Sequence, residues 1–377
     1  MEYKSPVPEF FPKIAYVINS LEGGGAALPL PSLIEIMKNN GYTVEVFALT
    51  LRDGKALENI KRTGTPVHVR TGKEENNLAA FFWLYFKIKD YHPNLIWTSL
   101  TRATLLGQIV GLLCHIQVVS WQHAGYLKPA NLTLLRLLKR IPALWIGDSQ
   151  AITDLTHKRL AIPKNKLVTW PIFKANPAAP LASPWEKGQV VRIGSLGRLH
   201  PVKGYNILLE ALALLLDSQD IWHEFQLTIC GEGDERVSLQ NRINTLKSSL
   251  SKPFHITLLP FTPQPEEFLS TLHVYVQPSR SEGFCVAAHE AMQAGLPVIA
   301  SQVGQLAYSV KNGETGYLVP PGDAQALAKV LLNILSDPSS LATMGRKARE
   351  EILTAYSAEN FEKTGNQILS RLGPLLS

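Results

Sequence analysis

Short apolar runs alternate with helical stretches along the whole chain. In the first half, residues 14–20 (IAYVINS), 43–49 (TVEVFAL), 67–70 (VHVR), 95–99 (LIWTS), 117–123 (QVVSWQH), 143–149 (ALWIGDS) and 166–170 (KLVTW) are rich in β-branched and aromatic side chains. Most lack the polar alternation of a half-exposed strand, so they read as strands buried on both faces. Helical stretches lie between most of them, for instance 76–90, 101–113 and 150–160. The second half repeats the scheme with strands at 192–197, 225–230, 255–260, 274–278, 297–301 and 316–320, and with helical periodicity over 208–216 and 324–335. Such alternation predicts an α/β architecture of two doubly wound parallel-sheet domains facing across a cleft. The Pro- and Ala-rich stretch 175–189 (ANPAAPLASPWEKGQ) has no periodicity and reads as the linker between domains 1–174 and 190–377. The last helix is a candidate to pack back on the first domain.

Composition adds boundaries. With 45% hydrophobic and 18% charged residues over 377 positions, the chain reads as globular and long enough for two domains. Its longest apolar stretch, TLLGQIVGLLCHIQVVSW, is broken by Gln108, His115 and Gln117, which predicts a helix followed by a strand and not a membrane span. No apolar leader precedes the first strand, so no secretory signal is expected. Cys114, Cys230 and Cys285 are scattered through apolar segments, which fits a reducing cytosol and no zinc spacing.

Charge changes the picture more. The net charge of +6 is uneven: residues 1–172 hold 20 Lys or Arg against 12 Asp or Glu, the remainder 17 against 19. A basic first half implies an anionic partner for that half. No nucleic-acid motif or stacking pattern accompanies it, so the expected partner is an anionic membrane surface and not nucleic acid. Residues 81–92 (FFWLYFKIKDYH) and 132–142 (LTLLRLLKRIP) combine apolar residues with cations. They read either as helices docking on anionic lipid or as ordinary layer helices whose cations reach water.

In open parallel sheets, ligands bind beyond the carboxyl ends of the strands. In the second half those ends carry RLHPVKG, with Arg198 and Lys203 on a Gly-bounded turn; GEGDER, a Gly-x-Gly turn opened by Gly231; and SRSEGF, leading into an apolar helix. Each feature alone is ordinary, a plain turn or a solvated cation. Together on one sheet edge they suit a phosphate-bearing ligand.

Glu282 and Glu290 stand in the otherwise small and apolar stretch 279–301 (SRSEGFCVAAHEAMQAGLPVIAS), where a buried carboxylate needs a partner. Gly283 and the preceding SRS put Glu282 in the loop, with the helix starting near Phe284 or Cys285 and Glu290 about two turns in. Were both helical, they would sit about 80° apart in azimuth and ~12 Å apart in rise, which suits two ends of one ligand. The alternative is a core carboxylate paired internally and a surface loop residue.

The segments GSLGRLHPVKGYNILLEAL, GEGDER, SRSEGFCVAAHEAMQAGLPVIAS and NGETGYLVPPGD resemble, in order and spacing, the retaining glycosyltransferases of family 4 (glycosyl transferases group 1) over roughly residues 190–325. The resemblance implies the GT-B fold: two Rossmann-like domains, with a sugar-nucleotide donor bound mainly by the second. It implies that Arg198 and Lys203 clamp the donor diphosphate, with Gly231 on the same edge. Glu290 would accept hydrogen bonds from ribose hydroxyls, and Glu282 would face the transferred sugar. Backbone N–H groups of Gly283, Phe284 and Cys285 would help hold the phosphate. In the first half, Gly24 and Gly25 match glycines near the diphosphate, and His123 matches a His near the donor sugar and acceptor. Read alone, His123 is a strand-end His satisfied by backbone.

The sequence departs from the family in places. Cys285 stands where Gly is frequent, and Gly304-Gln305 with Tyr308 stand where a Gly-Gly pair and a downstream Glu are common. Pro29 and Pro31 predict a late start for the first helix, with Pro31 near its first turn. The implied function is transfer, with retained configuration, of a hexose or similar sugar from a nucleotide diphosphate sugar to a glycan or lipid-linked acceptor. The nucleotide sugar is a substrate, no cofactor is expected, and the implied location is cytoplasmic, at the inner face of the membrane. No Asp-x-Asp pair occurs, so no divalent metal is expected. The alternatives are a nucleotide-sugar-binding accessory subunit without turnover, and a glycoside hydrolase, which needs two facing carboxylates but no cationic clamp.

Overall fold

The structure, a computed structural model, describes residues 11–27, 29–217, 223–249 and 255–373. The leader-free reading of the opening falls mostly on residues 1–10, outside the described residues. Two compact units form, one from the described residues up to Ile172 and from Glu359 onward, the other from Phe173 to Ala358.

In the first unit, β1 (Lys13–Ser20), β2 (Thr43–Thr50), β3 (Val67–Val69), β4 (Leu95–Ser99), β5 (Gln117–Gln122), β6 (Leu144–Gly147) and β7 (Leu167–Thr169) form one sheet. Its order is β3-β2-β1-β4-β5-β6-β7, and every pairing is parallel. Ile14 to Ile18 of β1 are all fully buried. Helices cover both faces of such a sheet, which is why these runs carry no polar alternation. Helix Leu30–Asn39 begins as late as its prolines require, with Pro31 in the first turn.

Trp121 and Trp170 stack in the core with centroids 5.1 Å apart. The Trp170 indole N–H donates to the carbonyl of Phe361 at 3.1 Å. This bond ties the closing helix Ala358–Leu372 to the first unit, and that helix buries Phe361, Ile368 and Leu369 on its apolar face.

The second unit holds β8 (Val191–Leu196), β9 (Phe225–Cys230), β10 (His255–Leu259), β11 (Val274–Gln277), β12 (Val298–Ser301) and β13 (Gly316–Val319). They form a parallel sheet in the order β10-β9-β8-β11-β12-β13. Pro260, Pro278 and Pro320 directly follow β10, β11 and β13, where a residue without an N–H ends the ladder. Helices Tyr205–Asp217 and Ala324–Ser336 pack together over the sheet. Leu208, Leu212 and Leu331 are at most 1% exposed there, and burial of each contributes about 2 kcal/mol. The Asp323 carboxylate caps the second of these helices, accepting from the Ala326 N–H at 2.8 Å.

In each sheet the strand order doubles back at the centre, between β1 and β4 and between β8 and β11. At such switch points neighbouring loops leave the carboxyl edge in opposite directions and open a crevice for a ligand.

Candidate active site

At the switch point of the second sheet, Lys203 ends the short turn Pro201–Lys203 after β8, and Glu282 lies on the loop after β11. Lys203 Nζ donates to Glu282 Oε1 at 2.7 Å, with the two side chains 19% and 9% exposed. Burial alone would push the ammonium down; the Glu282 carboxylate reverses this and holds Lys203 charged, above its ordinary range. Gly204 makes the approach possible. Its φ is +68°, and a Cβ there would lie 2.1 Å from the carbonyl oxygen of Pro278.

Glu282 Oε1 also accepts from Ser279 Oγ at 2.6 Å and from Gln277 Nε2 at 3.3 Å. The Tyr275 hydroxyl in turn lies 2.8 Å from Gln277 Oε1, so the carboxylate is oriented from the end of β11. Gly304, with φ +53°, lets the following loop close on this one: a Cβ would meet the Glu282 carbonyl oxygen at 2.5 Å. The Gln305 N–H then donates to the Gly283 carbonyl at 2.8 Å. Gly231, directly after β9, abuts Gly197 at the start of the Lys203 loop. Arg198 is exposed on that loop, with no hydrogen bond or ion pair among the described residues.

Cys285 adopts φ +68°, the left-handed region that side chains avoid. The helix therefore starts at Val286, later than the expected Phe284 or Cys285, and runs to Gln293. Glu290 is consequently just over one turn in, not two. Among the described residues no hydrogen bond uses the N–H groups of Gly283, Phe284 or Cys285, so three donors at a helix start stay open to an anion. The Phe284 ring turns inward and stacks on His289 at 4.0 Å. Gln305, where the resemblance expects a glycine, sends its side-chain amide to the Tyr356 hydroxyl at 3.1 Å, and Tyr308 is 54% exposed.

Glu290 shares no partner with Glu282. Its carboxylate lines a cavity of about 280 Å³ with Asn176, Pro180, Glu266, Leu269 and Gln293. Among the described residues it has no hydrogen-bond partner. Burial, and after it the neighbouring Glu266, push the carboxyl up to about 7.

In the first unit, Gly24 and Gly25 lie in the turn after β1, where the Gly24 N–H donates to Glu22 O at 2.8 Å. His123 follows β5 directly. Its Nε2 lies 2.8 Å from Ser99 Oγ and its Nδ1 3.1 Å from Asp148 Oδ2. The His123 and Asp148 side chains are 6% and 4% exposed. A carboxylate only accepts, so the ring faces Asp148 with a protonated Nδ1. His123 is thus satisfied by two side chains, not by backbone as its isolated reading expected. Ser99 ends β4 and Asp148 follows β6, so the three sit on adjacent strand ends. Sequence reasoning missed both, together with Gln277, Ser279 and Glu266. Reading the strand ends of the first half as those of the second were read would have found Ser99 and Asp148.

Among the described residues, no three His, Cys, Asp or Glu side chains gather into a group able to hold a metal ion.

Residues 184–351 match the model of the family described as glycosyl transferases group 1. The chain is 30% identical over 192 residues to the amylovoran biosynthesis glycosyltransferase AmsK of Erwinia amylovora, a match covering 49% of this chain and 46% of that protein. It is 26% identical over 356 residues to the capsular polysaccharide biosynthesis glycosyltransferase CapM of Staphylococcus aureus, covering 86% and 89%. Against the first curated relatives, such as AmsK, the matched chain spans about half their length. The crystal structure of Anabaena Alr3699/HepE in complex with UDP-glucose superposes with a TM-score of 0.80 at 20% identity, covering 96% of this chain and 100% of that one. That likeness fixes the fold, which is GT-B. Over residues 184–351 the chain is thus similar to the glycosyl transferases group 1 family.

Proposed function

We propose that the protein is a retaining glycosyltransferase that moves a sugar from a nucleotide diphosphate sugar, held by the second unit, to a glycan or lipid-linked acceptor at the cytoplasmic face of a membrane. The observation that carries this reading is Lys203, paired with Glu282 at a sheet switch point whose adjoining loop offers three open N–H donors. As the bond to the diphosphate breaks, negative charge grows on the leaving group, and fixed cations and N–H groups act where charge develops. Lys203, Arg198 and the start of helix Val286–Gln293 supply them.

A diphosphate arriving there draws on Lys203 while Ser279 and Gln277 keep Glu282 oriented through Oε1. The other oxygen, Oε2, is then the atom offered to hydroxyls of the transferred sugar. Glu290 lacks a partner in its cavity, and ribose hydroxyls donating to it would offset the cost of its burial. The likeness to AmsK and CapM supports a role in building sugar chains, and the UDP-glucose bound to HepE makes a UDP-sugar the first donor to try.

Thermal stabilisation across common nucleotide sugars tests the reading, because a ligand specific to the native state raises its melting temperature. One or more should stabilise the protein, and Lys203→Ala should lose the effect; no stabilisation by any would overturn it. A nucleotide-sugar-binding subunit without turnover is the second reading, favoured by Gln305 turning to Tyr356 where donor-sugar contacts are expected. Binding without turnover would select it.

A further inference from the structure

Helix Asn77–Tyr91 buries Ala80, Leu84 and Ile88 against the first unit's core, as a layer helix should. It also carries a second apolar face: Leu78, Phe82 and Phe86 are 73%, 54% and 58% exposed. Spaced four apart, they form one outward stripe about 12 Å long. Helix Thr101–Cys114 packs beside it, and its last turn leaves Leu112 and Leu113 57% and 54% exposed. Beyond that, helix Pro129–Leu138 exposes Leu134 by 46% and Leu137 by 74%. The helix Thr101–Cys114 packs against each of the other two, which places the three side by side.

Charge points the same way. Residues 77–140 hold seven Lys or Arg and a single carboxylate, Asp90, a net of +6 that equals the net charge of the whole chain. Lys89 follows Phe86 by about one helical turn, and Arg136, Lys139 and Arg140 neighbour Leu134 and Leu137 along the chain. Apolar side chains interspersed with long cations over three helices match the apolar-polar boundary of an anionic bilayer. Among the described residues no helix is long and apolar enough to cross a membrane, so contact through this face is peripheral.

We infer that this three-helix face of the first unit docks on an anionic phospholipid surface. Phe82 and Phe86 enter the acyl boundary while the cations meet headgroup phosphates. The inference deepens the acceptor side of the proposed function, since a lipid-linked acceptor resides at a bilayer. Its purpose rests on that reading, but its measurement uses neither donor nor acceptor, so either can fail without the other.

The test is cosedimentation of the full chain with phosphatidylcholine vesicles, with and without phosphatidylglycerol. Binding is expected only with phosphatidylglycerol and should weaken as salt screens the surface. Phe82→Ser with Phe86→Ser should weaken it about tenfold or more. Lys89→Glu with Arg140→Glu should cost about fivefold for each cation removed, and more for the reversed sign. These side chains are exposed, so melting curves should match the parent. Failure to bind anionic vesicles, equal binding to neutral ones, or unchanged binding by the Phe pair variant would each overturn the inference. So would a dimer in sedimentation velocity that the Phe pair variant dissolves, because the face would then belong to a second copy.

Discussion

Lys203 and Glu282 lie 79 residues apart in the chain and meet at 2.7 Å on the carboxyl edge of the second sheet. Because both are largely buried, removing one strands the other's charge. Lys203→Ala and Glu282→Gln should each destabilise the protein by about 2–4 kcal/mol. Lys203→Ala combined with Glu282→Gln should cost less than the sum of the singles, since it leaves no charge without its partner. Urea unfolding of the four proteins checks this, and strictly additive costs would mean that the pair is not coupled.

Ser99, His123 and Asp148 form the corresponding feature of the first unit. Asp148→Asn keeps the shape but turns an acceptor into an amide that can donate to Nδ1, which favours the opposite tautomer. Ring-nitrogen NMR shifts of labelled His123 should therefore move from an Nδ1-protonated to an Nε2-protonated signature. If His123 serves the proposed transfer, turnover should fall about tenfold or more with donor affinity kept. Ser99→Ala should leave the tautomer in place, which separates the two partners.

The left-handed Cys285 should tolerate glycine. Cys285→Gly relieves about 1 kcal/mol of backbone strain and gives up about 1 kcal/mol of side-chain burial, leaving stability nearly unchanged. Cys285→Val adds branching at Cβ where φ is +68°, and should lose about 1–2 kcal/mol. Thermal melts of the two variants distinguish these outcomes.

Glu290 makes stability depend on pH. Its carboxyl is raised from 4.5 to about 7, so between those values the native protein keeps a proton that the unfolded chain has released. Stability should fall as pH rises through that window and level off above it. Glu290→Gln has no proton to lose; it should match the parent in acid and exceed it above neutrality by on the order of 3 kcal/mol. If ribose hydroxyls meet the ionised form, nucleotide binding should release a proton and tighten as pH rises toward neutrality. Calorimetry in buffers of different ionisation heat measures that release.

Much of this was readable before the fold was known. Runs such as LIWTS and VYVQ are buried on both faces, the pattern of a parallel sheet covered by helices on each side. Lys203 and Glu282 were legible because the residue after a parallel strand must lie on the carboxyl edge, whatever the strand order. The bond between His123 and its two partners was not, because it requires β4, β5 and β6 to be neighbours. Nor was the late helix start at Val286. It follows from one backbone angle at Cys285, which the residue type disfavours. The separation of Glu290 from Glu282 followed from their spacing, but the cavity that Glu290 shares with Glu266 was hidden, since it depends on where the helix turns that side chain.

The bond between Trp170 and Phe361 has a consequence for synthesis. On a ribosome, the whole stretch from Phe173 to Ala358 emerges before the helix that closes the first unit. The second unit can therefore finish folding on the nascent chain while the first, begun earlier, still exposes the apolar surface around its indole. A chain stalled or clipped ahead of Phe361 would carry a completed second unit beside an open first one, a species prone to capture by chaperones or to aggregation.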